Sequence, residues 1–291
     1  MVKHNGKKGR QCLCCNNSLS EYASIGIYRI QICPICRSGF TFPRQSPDNE
    51  FYPEQYYQGE GVIQKTLFRI KKLFIYTPRQ KKISKYKKQG KILDFGCGDG
   101  SFLETFSVKR WDRYGIDASL SAYKLSKKRD LKVDCYKSEK LKYADQFFDV
   151  ITLNHVLEHL EIPEQILKEL KRILKDDGIL YLELPRFDGF WSRTFKAEWP
   201  SNADIPRHLN HFSHRGLILL LEKSGFKVTA NKHFPISDYL YLLYLMQRYI
   251  YQKVKLIGAR ELAFILTSPL FIPLIFFNKE SIEIVFTKND L

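Results

Sequence analysis

Residues 91–103 read KILDFGCGDGSFL, and this stretch decides the fold. A short apolar run ends at Asp94 and is followed by glycines at positions 96, 98 and 100. Glycine lets the backbone turn sharply and lets a ligand approach the main-chain amides closely. Because the next ten residues, SFLETFSVKR, have a helical pattern, the stretch predicts a strand, a tight ligand-binding turn and a helix over 100–108.

The glycine spacing also discriminates between ligands. Dinucleotide-binding turns carry G-x-G-x-x-G, whereas this turn reads G-x-G-x-G with Asp94 in front of it. A carboxylate there disfavours a pyrophosphate and suits an amino-bearing, cationic ligand. Asp117 ends a second strand pattern, where one carboxylate can accept from both hydroxyls of a ribose. These features favour S-adenosylmethionine, which has a sulfonium, an ammonium and no phosphate, over NAD.

Four stretches resemble the class I S-adenosylmethionine-dependent methyltransferases, in the family's order between about Gly90 and Lys288. They are DFGCGDG (94–100), GIDAS (115–119), FFDVITLNHVLEHL (147–160) and LKDDGILYLELP (174–185). The resemblance implies that Asp94 lies near the amino-acid end of the cofactor, that Asp117 holds the ribose and that the 136–139 turn covers the adenine. The predicted cofactor-binding residues are Asp94, Phe95, Gly96, Cys97, Gly98, Gly100, Asp117, Ala118 and Asn154.

Alternating strand and helix patterns predict an α/β fold with a seven-stranded, mostly parallel, doubly wound sheet of the Rossmann-like methyltransferase type. The resemblance adds that the last strand is antiparallel and lies beside the fifth. The predicted strands are 91–95, 113–117, 131–135, 148–153, 179–184, 226–233 and 281–287, and the other predicted helices are 119–129, 162–175 and 215–224.

Cysteines mark a separate N-terminal element. Five of the seven lie in the first 36 residues, and Cys12-x-x-Cys15 and Cys33-x-x-Cys36 have the spacing of two zinc knuckles. We therefore predict a zinc-ribbon-like element over 1–45 with a structural zinc ion, or alternatively a ribbon that has lost its metal. The N-terminus has no apolar core typical of a secretory signal, so a reducing, cytoplasmic location is expected.

Charge and hydrophobicity point to an anionic surface as a partner. The 47 basic and 31 acidic residues give a net charge of +16, and residues 65–91 carry eleven Lys or Arg and no acid. Residues 46–89 are predicted to be a linker with basic helices, followed by the methyltransferase domain over 90–291. Within it, the hydrophobic insert 236–279 is expected to meet the inner face of the membrane or to pack internally.

Residues 186–215 follow the fifth strand, where the methyl acceptor would enter. We predict His208 as the catalytic base, with His155 second, since imidazole suits proton transfer near neutral pH. The alternative is that His208 packs ahead of a helix capped by Ser213. A metal at the three histidines of 208–214 is not expected, because no helix pattern covers them and no acid completes the site.

Two further features are open to more than one interpretation. Glu158 and His159 match a common family motif, but they are expected to be structural rather than catalytic. Trp191 and Trp199 either stack on a sugar ring or pack within the protein.

The functional prediction is methylation of a hydroxyl on a glycan, a lipid-linked saccharide or another small molecule near the membrane. Two alternatives are a quinone or natural-product O-methyltransferase and an RNA methyltransferase that uses the ribbon and the basic helix. Nucleic acid is the less favoured partner, because TLNHV (152–156) stands where base-amino methyltransferases carry N/D-P-P-Y/F. A non-catalytic module that only binds the cofactor is a further possibility.

Overall fold

The computed structural model describes residues 10–44, 69, 72–129, 131–136, 140–199, 204–230 and 281–287. The hydrophobic insert 236–279 and most of the predicted linker lie outside these residues.

The structure contains two groups of strands and five α-helices within the described residues. The strands are β1 (Ser20–Ile25), β2 (Tyr28–Ile32), β3 (Gly39–Phe42), β4 (Gly90–Phe95), β5 (Trp111–Asp117), β6 (Lys132–Cys135), β7 (Phe148–Asn154), β8 (Leu174–Pro185), β9 (Asn210–His211), β10 (Lys227–Ala230) and β11 (Ser281–Thr287). The helices are α1 (Thr77–Tyr86), α2 (Leu120–Lys127), α3 (Pro163–Ile173), α4 (Phe190–Phe195) and α5 (His214–Lys223).

The larger sheet has seven strands in the order β10-β11-β8-β7-β4-β5-β6. Strands β4 to β8 pair in parallel with one another, and β11 runs antiparallel to both β8 and β10. This arrangement confirms the predicted seven-stranded, mostly parallel sheet and the antiparallel last strand beside the fifth. The central strands are apolar along their length because both faces of the sheet are covered. Ile92, Leu93, Val150, Ile151 and Leu182 are fully buried.

The smaller sheet is antiparallel, in the order β1-β2-β3-β9. Its first three strands belong to residues 10–44, which we call the ribbon, while β9 lies in the segment after β8. Gly39 and Phe40 of β3 pair with His211 and Asn210 of β9. The ribbon is therefore joined to the rest of the protein by backbone pairing as well as by the chain itself, because β9, from the segment after β8, completes the ribbon's sheet.

The prediction of a helix over 100–108 is wrong. Ser101 donates from its backbone N to Oδ1 of Asp99 at 3.1 Å, and its hydroxyl donates to the other carboxylate oxygen at 2.5 Å. Side-chain bonds of this kind compete with helical hydrogen bonding, so only a single 3-10 turn forms at Leu103–Thr105. Phe102 and Phe106 still point into the core.

The other predicted helices are present with shifted ends. Helix α3 ends at Ile173, and β8 starts at the next residue, so Asp177-Gly178 lies in the extended chain and not at a helix stop. Helix α5 begins one residue earlier than predicted, at His214, and the Ser213 hydroxyl accepts from the backbone N of Gly216 at 2.9 Å as an N-cap.

Helix α1 forms part of the predicted basic segment, and it is fixed to the sheet by ion pairs. Arg79 is 9% exposed and donates from Nε to Glu183 Oε2 at 2.6 Å, while Lys82 pairs with Glu283. Tyr181 donates to Glu283 at 2.7 Å and joins the two pairs. At least two of the basic residues thus balance buried carboxylates and are not available to an external anion.

A methyl donor site with a neighbouring histidine cluster

The glycine turn leaves the end of β4 in a backbone conformation that other residues rarely adopt. The φ angles of Gly96 and Gly100 are +82° and +80°. A Cβ atom on Gly96 would lie 2.3 Å from Cγ2 of Val156, so a side chain there would also collide with the chain after β7. The turn therefore requires glycine for both conformation and space.

Asp117 at the end of β5 holds this turn in place. Its Oδ2 accepts from the backbone N of Gly98 at 2.8 Å, and its Oδ1 accepts from Ser119 N at 2.8 Å. The carboxylate is 8% exposed, and burial raises its pKa although the backbone donors oppose the shift. Ala118 lies between Asp117 and Ser119, the N-cap of α2.

Asp94, at 3% exposure, is the second buried carboxylate of the rim. Its Oδ1 accepts from Thr152 Oγ1 at 2.6 Å and from Asn154 Nδ2 at 3.2 Å, both on β7. Burial raises the pKa of Asp94 to about 7, against the effect of these two donors.

Asn154 carries an unsatisfied acceptor beside Asp94. Its side-chain Oδ1 is buried and has no hydrogen-bond partner among the described residues. A buried acceptor next to a buried carboxylate calls for a cationic donor, and the ammonium group of S-adenosylmethionine is one. The residues present therefore fit the predicted cofactor.

The structure brings the predicted cofactor residues together at the carboxyl ends of β4, β5 and β7, where ligands of such sheets bind. Phe95 and Cys97 are buried, and the Phe95 ring packs edge-on against Tyr136 at 5.4 Å between centroids. Tyr136 starts the turn predicted to cover the adenine, and its backbone N donates to Asp117 O at 2.7 Å. Residues 137–139 of that turn lie outside the described residues.

Residues 69–231 match the family model described as a methyltransferase domain. The chain belongs to this methyltransferase family. With the cofactor site described above, this identifies it as a class I S-adenosylmethionine-dependent methyltransferase.

Several proteins with related sequences are known. The methyltransferase is 30% identical over 153 residues to the uncharacterized protein MJ1123 of Methanocaldococcus jannaschii, covering 53% of the chain and 72% of that protein. It is 31% identical over 133 residues to the mitochondrial ubiquinone biosynthesis O-methyltransferase of Saccharomyces cerevisiae, covering 42% of each. The match to demethylmenaquinone methyltransferase of Renibacterium salmoninarum is 29% over 128 residues. The chain spans about half the length of these last two relatives, 42% and 53%.

Solved structures share the fold. One chain of the Haloferax volcanii complex between the Trm112 methyltransferase activator and a methyltransferase aligns with a TM-score of 0.56 at 16% identity, covering 84% of this chain and 100% of that one. The PH0226 protein of Pyrococcus horikoshii aligns with a TM-score of 0.52 at 15% identity, covering 82% and 100%. At these identities the likeness establishes the fold alone.

His155 stands at the rim directly after Asn154. Its φ is +55°, its backbone N donates to Glu183 O at 2.8 Å, and its side chain is 32% exposed. Nδ1 lies 3.4 Å from Glu158 Oε1, and Nε2 lies 3.8 Å from Glu183 Oε1. Desolvation alone would lower the pKa of His155, but the two carboxylates outweigh it and raise the pKa to about 9.

His208 lies deeper in the protein, at 7% exposure. Its ring centroid is 4.8 Å from that of His159 and 6.3 Å from that of His211. Its Nε2 lies 3.6 Å from Asp204 Oδ2. The two predicted catalytic histidines thus occupy different settings, one at the rim and one among packed imidazoles.

Sequence reasoning did not anticipate that Glu158, His159 and His208 would meet. One ligand-type atom from each lies within 4.8 Å of the others. We call these three residues the Glu-His cluster. The sequence does contain a signal for this cluster. An acid and a histidine come right after β7, and another histidine follows the neighbouring strand β8. The ends of adjacent parallel strands meet at one edge of the sheet.

Trp199 contributes less to the rim than a sugar-stacking role would need. Trp199 is 1% exposed and stacks on Phe195 with centroids 5.8 Å apart, so it packs within the protein. The side chain of Trp191 lies outside the described part of the structure.

The four predicted zinc-binding cysteines come together in the ribbon. Cys12 Sγ is 3.4 Å from Cys36 Sγ, Cys15 Sγ is 3.5 Å from Cys33 Sγ, and all four sulfurs lie within 4.8 Å of one another. Sulfurs about 2.3 Å from a tetrahedral zinc ion are about 3.8 Å apart, so the set fits this metal. The Asn17 amide and the Cys36 backbone N point at cluster sulfurs, as donors around thiolates do.

Among the helices of the described residues, none has the length and apolar character needed to cross a bilayer.

Proposed function

We propose that the methyltransferase methylates a hydroxyl group on a small molecule of the quinone-precursor class. The observation that carries this proposal is the position of His155. It is a partly exposed imidazole directly next to the Asn154–Asp94 pair, where an acceptor hydroxyl would have to lie. The names of the ubiquinone biosynthesis relatives support the choice of acceptor class.

The cofactor is held by residues of three strand ends. Asp94 and Asn154 receive the ammonium, Asp117 receives the ribose hydroxyls, and the turn at Gly96–Gly100 lets the ligand approach the backbone. When bound, S-adenosylmethionine supplies an electrophilic methyl group that an oxygen nucleophile takes by in-line displacement.

His155 orients the acceptor hydroxyl and, in its neutral form, takes its proton. Because the pKa of His155 is about 9, turnover should rise with pH up to about pH 9. We assign the base to His155 because its side chain is 32% exposed, whereas His208 is 7% exposed. A group that removes a proton from the acceptor has to come within about 3 Å of it, directly or through one water.

The cysteine cluster is proposed to hold a structural zinc ion. Its role is to fold the ribbon, since three strands of this size bury too little apolar surface to be stable alone. The ribbon in turn supports the segment that contains His208 and His211.

Acylated or prenylated catechols provide the direct test. The enzyme is incubated with methyl-labelled cofactor and, separately, a prenylated catechol, a lipid-linked saccharide extract and total RNA. We expect a catechol monomethyl ether as the labelled product, and no label transfer by the Asp117→Ala variant. Label found only in the saccharide or only in RNA would overturn the proposed acceptor class. The enzyme would then be a saccharide or an RNA methyltransferase.

His155→Asn tests the proposed base. Turnover of the catechol should fall at least a hundredfold while cofactor binding stays within twofold, because proton transfer typically contributes about 10²–10⁴-fold. Wild-type turnover in this variant would remove His155 from that role.

A further inference from the structure

Glu158 is a buried acid that His155 compensates only in part. It is 1% exposed, and neither carboxylate oxygen has a hydrogen-bond partner among the described residues. The nearest donor atom is His155 Nδ1, 3.4 Å from Oε1, an ion-pair distance that leaves Oε2 without any partner among the described residues. His155 offsets part of the cost of burying this charge, and the unpartnered Oε2 can serve a second cation.

The His159 imidazole of the Glu-His cluster is oriented as a metal ligand is. His159 Nδ1 lies 2.9 Å from the backbone O of Arg207. A carbonyl can only accept, so Nδ1 carries the proton and Nε2 carries a lone pair. A carbonyl or carboxylate on the far nitrogen is the usual support of a ligating histidine. Asp204 Oδ2 lies 3.6 Å from Nε2 of His208, which is an ion-pair distance and not a hydrogen bond.

Hydrogen bonds hold the segment that contains Glu158 and His159 against the segment that contains His208. Leu209 N donates to Glu158 O at 2.9 Å, and Asn210 Nδ2 donates to Leu160 O at 2.7 Å. Arg44 of the ribbon adds bonds to Glu161 O and Leu209 O at 2.7 and 3.0 Å. The donor atoms therefore converge because the segments after β7 and β8 are bonded to each other.

We propose that Glu158, His159 and His208 bind a divalent first-row transition ion, at a second metal site distinct from the cysteine cluster. One carboxylate and two imidazoles suit Zn²⁺, Mn²⁺, Fe²⁺ or Co²⁺, whereas Mg²⁺ and Ca²⁺ prefer oxygen ligands. Ligands about 2.1 Å from such an ion lie roughly 3.0–3.4 Å apart, so the set has to close by roughly 1.8 Å at most from 4.8 Å. Side-chain rotation supplies a movement of this size.

Three protein ligands leave coordination positions for another oxygen. This role rests on the proposed function: an ion beside His155 would bind the acceptor hydroxyl and polarise its O–H bond as a Lewis acid. A catechol, with two adjacent oxygens, is well suited to such a position. The metal site itself does not depend on which acceptor is used.

Cobalt titration of the full chain tests the site without cofactor or acceptor. Thiolate-bound Co²⁺ has intense near-ultraviolet charge-transfer bands, whereas Co²⁺ bound by nitrogen and oxygen has only weak visible bands. We expect two equivalents per chain, the first with thiolate bands and the second without them. Glu158→Gln and His208→Asn should retain the thiolate equivalent and weaken the second at least tenfold.

His214→Asn is the matched control, since His214 lies in the same segment but outside the cluster, and it should bind two equivalents. A folded wild-type protein that binds only the thiolate equivalent would overturn the proposal. If Glu158→Gln does not fold, the wild-type stoichiometry and His208→Asn decide the question. Two equivalents with no methylation of catechol would contradict the proposed function and leave the metal site standing.

Discussion

Oγ1 of Thr41 in the ribbon lies 2.8 Å from Nε2 of His211 and 2.9 Å from the backbone O of His208. The carbonyl can only accept, so the threonine hydroxyl gives its one proton to it. His211 must then donate from Nε2. Its imidazole is also neutral, because desolvation, with His208 and Arg44 adding to it, lowers the pKa of His211 to about 3.

Removing this hydroxyl should destabilise the protein. Thr41→Val leaves a buried N–H and a buried carbonyl unsatisfied, which costs about 1–3 kcal/mol. Denaturant unfolding followed by tryptophan fluorescence measures the loss. Thr194→Val, which removes an exposed hydroxyl bonded to Phe190 O, is the control and should change the stability by less than about 0.5 kcal/mol. Equal effects of the two variants would contradict the role given to Thr41.

Asp117 is expected to control cofactor affinity. Asp117→Ala removes the ribose acceptor and frees the backbone N of Gly98, so calorimetry should record at least a tenfold loss of S-adenosylmethionine affinity. Asp112→Ala, at the exposed start of the same strand, should bind the cofactor as the wild type does. Undiminished binding by Asp117→Ala would refute the site.

Cofactor binding should weaken as the pH falls through 7. Burial raises the pKa of Asp94 to about 7, and only its charged form attracts the ammonium. Calorimetry should therefore find binding about fivefold to tenfold weaker at pH 6 than at pH 7.5. An affinity that does not change over this range would contradict the assignment of Asp94.

The raised pKa of Asp94 also predicts that the stability of the ligand-free protein falls as the pH rises, whereas cofactor affinity increases. The folded protein binds more protons than the unfolded chain between about pH 4 and pH 7, so stability declines as the pH rises through this window. Asp94→Asn should remove the decline and make the ligand-free protein more stable than the wild type at pH 8, by up to about 4 kcal/mol. Denaturant unfolding at pH 5 and pH 8 measures the difference.

Loss of the ribbon metal should reach beyond the ribbon. The Ser213 hydroxyl, which caps α5, also bonds the backbone O of Cys36. Cys12→Ser should lose the thiolate-bound metal equivalent and reduce the hydrogen-exchange protection of α5. Cys135→Ser, outside the cluster, should alter neither. If the Cys12→Ser variant binds no metal in the ribbon and α5 is still fully protected, the stability of α5 does not depend on the ribbon metal.

Much of the fold followed from local sequence signals. The glycine turn, both rim carboxylates and the Ser213 cap each depend on a few neighbouring residues with one preferred geometry. The helix predicted after the turn failed because Asp99 and Ser101 bond to each other, a local competition that hydrophobic spacing does not register.

Long-range pairing accounts for what the sequence did not reveal. Asn210 and His211 form only a two-residue strand, too short for any periodicity, and they pair because β3 offers a free edge. The Glu-His cluster likewise joins residues 50 positions apart, Glu158 and His208, whose meeting depends on two loops folding together.

The pairing of β3 with β9 has a consequence for synthesis on the ribosome. Thr41 and His211 are separated by 170 residues, so at about 5–20 residues per second the N-terminal strands wait about 10–30 s for their fourth partner. During that interval an open strand edge is exposed to other nascent chains. Early metal capture by the four thiols would keep this edge in a defined shape until the remainder of the polypeptide emerges.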